Sequence, residues 1–235
     1  MLKHLLLLSV FTGCAVDVQT SQSSDNLAAQ NKLASNKLAS NKLASNKLAS
    51  NKLAAADLAA DPTGLLSTAD GRDVLSYIVS CALAGDQTLT ATYDGTPYSF
   101  AGQIGLAPAW ATRTPTASER RWVSACVLSR TNYFGIAVEL SLRGTPDVLA
   151  TSPEEEAAYP AAEATFFGDL FDPTAISEYA CESSFKVANE GNSSFTLRQC
   201  ATQDGSTGLT RCGFTYTGTC NGTTVFPEAI SINLH

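Results

Sequence analysis

Thr88-Leu89-Thr90-Ala91-Thr92-Tyr93-Asp94-Gly95-Thr96-Pro97-Tyr98-Ser99-Phe100-Ala101 reads as two alternating runs joined by Asp-Gly. That dipeptide tolerates the positive φ angles of a two-residue hairpin turn, so the runs are expected to be antiparallel strands. Pairing Tyr93 with Thr96 sets Ala91 opposite Tyr98 and Leu89 opposite Phe100. These apolar side chains then share one face, while Thr88, Thr90, Thr92 and Ser99 share the other.

Helical patterns flank the hairpin on both sides. Upstream, Thr68-Ala69-Asp70 precedes a run that places Val74, Leu75, Ile78, Val79, Cys81 and Ala82 on a broad apolar face, ended by Gly85. Downstream, the capping box Thr116-Ala117-Ser118-Glu119 opens a second helix that carries Trp122, Val123, Cys126 and Val127 inward. Ile136, Val138, Leu140 and Leu142 then alternate with Ala137, Glu139, Ser141 and Arg143, the pattern of a half-buried strand. Ser152-Pro153-Glu154-Glu155-Glu156 is a further helix start, with proline at the first helical position and carboxylates against the positive end. A short helix is expected over Ala161 to Phe171. Beyond Phe185, runs such as Phe195-Thr196-Leu197 and Gly213-Phe214-Thr215-Tyr216 suggest small strands. The fold class is α+β: helix, hairpin, helix and strand in the first half, then a short-stranded, disulfide-rich second half.

The amino-terminal part is different in kind. Met1-Leu2-Lys3-His4 and the apolar run Leu5 to Phe11 lead to Thr12-Gly13-Cys14. The run is far shorter than the about 20 apolar residues a bilayer core needs, so it reads as a signal peptide over residues 1–13. Small residues before a cysteine resemble the bacterial lipobox, although Phe11 stands where leucine is usual. That resemblance implies cleavage before Cys14 and lipid on its thiol. Ala15, rather than the Asp that retains lipoproteins at the inner membrane, favours an outer-membrane destination in the cell envelope.

From Asn31 the pentapeptide Asn-Lys-Leu-Ala-Ser recurs without error to Ser50, and decaying copies continue to Ala60. Leucines fall at 33, 38, 43, 48, 53 and 58. Five residues turn an α-helix by ~500°, so successive leucines advance about 140° and leave no apolar stripe. A strand would send each leucine to the opposite face from the last. Residues 14–61 are therefore expected to form a flexible low-complexity spacer spanning ~35–40 Å on average. A pentapeptide-repeat solenoid is the ordered alternative, with too few coils to stack well. The expected globular domain is residues 62–235.

Seven cysteines less the lipidated one leave Cys81, Cys126, Cys181, Cys200, Cys212 and Cys220. An even number in an exported domain reads as three disulfides. Cys81 and Cys126 lie in the two expected helices of the first half and are assigned to each other; the last four pair among themselves in an order the sequence leaves open. Zinc is not expected, since no Cys-x-x-Cys occurs and the two histidines are His4 and His235.

Ser80-Cys81-Ala82-Leu83, Gly105-Leu106-Ala107-Pro108-Ala109-Trp110, Arg121-Trp122-Val123-Ser124-Ala125-Cys126-Val127-Leu128, Arg130-Thr131-Asn132 and Leu140-Ser141-Leu142-Arg143-Gly144 together resemble a group of uncharacterised myxobacterial cell-envelope lipoproteins. The likeness extends more loosely to Phe166-Phe167-Gly168 and Tyr179-Ala180-Cys181. It implies export and a shared fold, and it implies no activity.

The net charge is −7, and beyond residue 61 the acids outnumber Lys and Arg by about two to one. Such a domain has no electrostatic reason to hold nucleic acid. With no interior histidine, Ser-His-Asp and Cys-His schemes are removed, and no phosphate-binding or dinucleotide fingerprint occurs, so no cofactor and no metal are expected. Paired-carboxylate hydrolysis of a glycan is the surviving enzymatic alternative, with Glu139, Asp169, Asp172, Glu178 and Glu182 as candidates. The leading expectation is instead a non-enzymatic binding, adhesion or structural interaction module, partnered with a membrane through its lipid.

Overall fold

The computed structural model describes residues 32–59, 64–220 and 224–235. The signal peptide, Cys14, the start of the repeat, the Asp61-Pro62 boundary and Asn221-Gly222-Thr223 lie outside the described residues.

The chain begins with β1 (Leu33–Ala34), α1 (Ser35–Asn46), a 3₁₀ turn (Lys47–Ser50) and the short helix α2 (Ala55–Ala59). The first-half framework follows: α3 (Ala69–Ala82), β2 (Thr88–Tyr93), β3 (Thr96–Ala101) and α4 (Ala117–Ser129). Then come β4 (Thr131–Asn132), β5 (Ser141–Arg143), α5 (Pro153–Ala158), β6 (Ala161–Asp169), β7 (Ser177–Glu182), α6 (Ser184–Ala188), a 3₁₀ turn (Ser193–Leu197), β8 (Thr215–Thr219) and β9 (Ala229–Leu234). The architecture is α+β. A five-stranded sheet in the order β5-β9-β6-β7-β8 carries α4 across β6 and β9, and the two-stranded hairpin β2-β3 lies against α3.

Hairpin and helices form as their residues dictate. β2 and β3 pair with Tyr93 opposite Thr96, Ala91 opposite Tyr98 and Leu89 opposite Phe100. Asp94 and Gly95 sit at φ 48° and 74°, the left-handed pair that matches the twist of the strands. Thr68 caps α3 by accepting from Gly71 N. Thr116 and Glu119 close the expected capping box on α4. Cys81 on α3 is bonded to Cys126 on α4, and the remaining pairs are Cys181–Cys220 and Cys200–Cys212.

Three expectations of secondary structure change. Ala161 to Phe171 holds β6, not a helix. This strand sits in the middle of the sheet, between β9 and β7, and is buried along nearly its whole length, so the alternation that betrays a strand is absent. Phe195-Thr196-Leu197 belongs to a 3₁₀ turn rather than a strand. Of the alternating run from Ile136, only Ser141–Arg143 joins a ladder, although Val138, Leu140 and Leu142 are all buried as their spacing requires.

The described part of the repeat is no free leash: Leu33, Leu38, Leu48, Leu53 and Leu58 are all buried in the core. The run is not one continuous helix: the chain passes through five successive conformations between Leu33 and Ala59. Leu33 falls in β1, Leu38 in α1, Leu48 in the 3₁₀ turn, Leu53 in a bend and Leu58 in α2, so each break resets the direction in which the next leucine points. Polar contacts fix the run. Leu53 N donates to Trp110 O at 3.0 Å, and Trp110 Nε1 donates to Asn51 O at 2.9 Å. Lys37 Nζ lies 2.5 Å from Asp73 and 3.3 Å from Asp70. Trp110 itself is fully buried and meets Phe171 edge to face at 5.1 Å.

Candidate functional site

Most of the large apolar side chains left exposed among the described residues gather on three neighbouring segments. Tyr133, Phe134 and Ile136 follow β4 and are 45, 50 and 44 % exposed, so Ile136 does not turn inward as its alternation suggested. Leu197 ends the 3₁₀ turn, and Phe185 and Val187 stand on α6.

Buried polar groups hold these segments together. Asn132, at the end of β4, is fully buried; its Nδ2 donates to Ile136 O at 3.0 Å and to Leu197 O at 3.1 Å. Its Oδ1 accepts from Phe134 N at 2.8 Å. Tyr133 N donates to Arg198 O at 3.1 Å, and Gly135 takes φ 65°, a conformation a side chain would strain. One amide side chain thereby satisfies two backbone groups of the loop and one of the 3₁₀ turn, tying the two segments together. The rings of Tyr133 and Phe134 meet at 5.1 Å and nearly at right angles. Phe195, two residues before Leu197, is buried and contacts Phe185 at 6.2 Å, which extends the edge to α6.

Arg198 anchors this edge from beneath. A register shift in β6 between Ala162 and Ala164 turns Glu163 into the interior, where its Oε2 accepts from Arg198 Nε at 2.9 Å. Both side chains are fully buried, and Arg198 Nη2 donates to Ser129 O at 2.5 Å. Burial draws the Arg198 guanidinium pKa below its usual value, against the pull of Glu163. Arg130 is buried as well: it stacks over Tyr77 at 4.8 Å and donates to Ser80 Oγ, and Tyr77 OH in turn accepts from Lys32 N at 3.0 Å. Desolvation lowers the Arg130 pKa to about 10.

Of the carboxylates proposed from sequence, Asp169 and Asp172 lie near enough that Asp172 acts on the Asp169 carboxyl, and Arg120 acts on both. Glu139 is exposed on the stretch before β5. Asp172 accepts from Thr174 and Ala175 N in a turn. Asp169 is buried and 3.2 Å from Arg120; burial pushes its carboxyl upward while Arg120 pulls it down. Glu182 is held by Lys186 at 2.9 Å and by the Tyr216 hydroxyl at 2.9 Å, and Tyr216 is pushed up to about 12, by burial first and then by that carboxylate. Glu178 is buried on β7, paired across from Gly168. Among the described residues no cluster of three His, Cys, Asp or Glu could hold a metal ion, and no helix is long and apolar enough to cross a membrane.

The aromatic edge carries little signal in the local sequence. Tyr133-Phe134-Gly135-Ile136 offered one signal, two adjacent aromatics beside a glycine directly after a helix, but nothing in it separates an exposed loop from a core strand. The fold and this edge define a disulfide-braced α+β protein with an exposed apolar edge. The chain matches no family model, and no curated protein or solved structure is similar to it.

Proposed function

We propose that this chain is a lipid-anchored cell-envelope protein whose disulfide-braced domain works as a binding, adhesion or structural interaction module. The exposed apolar edge of Tyr133, Phe134, Ile136, Leu197 and Phe185 carries the reading. A fixed, solvent-facing group of large apolar side chains is a surface waiting for a partner, because leaving it in water costs roughly 25 cal/mol for each Å² that association would cover. Asp169 and Glu182, by contrast, are taken up by cations and hydroxyls inside the domain. Lipid on Cys14 supplies the anchor, and the outer membrane is the destination that Ala15 favours.

Mass spectrometry of the native protein, before and after reduction, tests this reading. The expected result is a mature chain starting at Cys14 with added acyl mass, and with thiols that become reactive only after reduction. A native chain that retains Met1, carries no acyl group and has free thiols at Cys81, Cys126, Cys181, Cys200, Cys212 and Cys220 would overturn it.

A further inference from the structure

We infer that the loop Tyr133–Ile136 is a membrane-contact edge, its rings and Ile136 resting in the headgroup region of the bilayer that holds the lipid on Cys14. This deepens the reading above and rests on it. The loop lies where the tether joins the domain. β1 runs parallel to β4, pairing Leu33 with Thr131 and Ala34 with Asn132. A Cβ built on Gly135 would stand 3.1 Å from the Cβ of Ala34 and 3.9 Å from the carbonyl oxygen of Lys32. The aromatic rings therefore project from the place at which the chain arrives from its anchor.

Reach agrees with placement. If residues 14–61 were a free leash, the domain could stand up to roughly 160 Å from the lipid, at the ~3.3–3.6 Å per residue of an extended chain. With Leu33, Leu38, Leu48, Leu53 and Leu58 docked in the core, the tether ends at Lys32, 18 residues after Cys14, and cannot exceed roughly 65 Å. The surface closest to the bilayer is the one bearing the tether, and it is the one that carries Tyr133 and Phe134.

Chemistry agrees too. Tyrosine is favoured at membrane–water interfaces because its ring is apolar and its hydroxyl is polar, and phenylalanine and isoleucine supply apolar area to bury among the upper acyl carbons. Lys32 is exposed beside the loop and offers a positive charge to anionic headgroups. The loop is already rigid through Asn132, so little conformational freedom remains to be lost on insertion.

The test uses the mature lipidated protein bearing Phe134→Trp, incorporated in vesicles of phosphatidylethanolamine and phosphatidylglycerol with part of the phospholipid brominated near the top of its acyl chains. Relative to the unsubstituted protein, the added emission should be quenched about twofold or more, as expected for a side chain at the interface. Emission added by Val148→Trp, exposed on a different segment, should be untouched. Floating with the vesicles, with acyl mass on Cys14 but no selective quenching at position 134, would overturn the membrane edge and leave the anchor standing. So would an oligomer of the detergent-solubilised protein that Tyr133→Ser/Phe134→Ser dissolves, because the edge would then belong to a second copy of the chain. A protein without acyl mass that fails to float would overturn both.

Discussion

The hairpin and the pentapeptide run both bury apolar side chains in one core, and they do so by opposite means. In β2 and β3, Leu89, Ala91 and Phe100 face inward because a regular strand puts every second residue on the same side, so one geometry serves all of them. In residues 33–58 no geometry persists. Leu33, Leu38, Leu48, Leu53 and Leu58 are each delivered by a different short element, and the breaks between elements do the orienting. A regular pattern can therefore be buried by a regular structure, or an awkward one by an irregular structure. The second solution depends on the domain beneath, since neither β1, α1 nor α2 is long enough to persist alone.

The two regions can be set against each other by substitution. The largest effect should come from removing the brace under the regular one. Cys81→Ala/Cys126→Ala opens a link across 45 residues and should cost about 4 kcal/mol in urea unfolding. Next, Leu53→Ala in the repeat and Leu89→Ala in the hairpin should each cost about 3 kcal/mol, because both side chains are buried. If Leu53→Ala left the unfolding midpoint unchanged while Leu89→Ala lowered it, the repeat would be a leash after all. Asn132→Ala leaves carbonyls of Ile136 and Leu197 and the amide of Phe134 without their partner; about 1–3 kcal/mol should be lost, and exchange of the loop amides should accelerate.

The smallest effect is a matter of pH. The bidentate contact from Arg113, followed by the capping contacts from Thr116, holds the Glu119 carboxyl below its ordinary range. A depressed carboxylate stabilises the fold fully above its unfolded-state pKa, and that contribution is lost as pH falls through the folded-state value. Glu119→Gln should thus lower stability at neutral pH by up to about 1 kcal/mol, the order of a helix cap. The variant and parent curves should converge on acidification; a constant gap at all pH values would remove the charge from the explanation.

What could be read from the sequence was whatever local chemistry decides. Asp94-Gly95 fixes a turn and with it a register, Thr116 and Glu119 fix a helix start, and the positions of Cys81 and Cys126 on two helices fix a bond. What could not be read was decided by burial on more than one side. β6 is covered over nearly its full length, so its alternation vanishes and its alanines look helical. The leucines of the repeat obey no single period because several elements share them. The edge of Tyr133, Phe134 and Ile136 is set by Asn132 reaching to Leu197, 65 residues away, and a contact that distant leaves no trace in the local pattern.

Amide hydrogen exchange over residues 32–59, followed in the mature protein by peptide mass spectrometry, tests most directly whether the pentapeptide run is part of the domain. Peptides spanning Leu38 and Leu53 should be protected to the same order as those of α3, with the Leu53 amide held by its bond to Trp110 O. Exchange at the rate of an unstructured chain across the whole run, while α3 and β6 stay protected, would contradict the account.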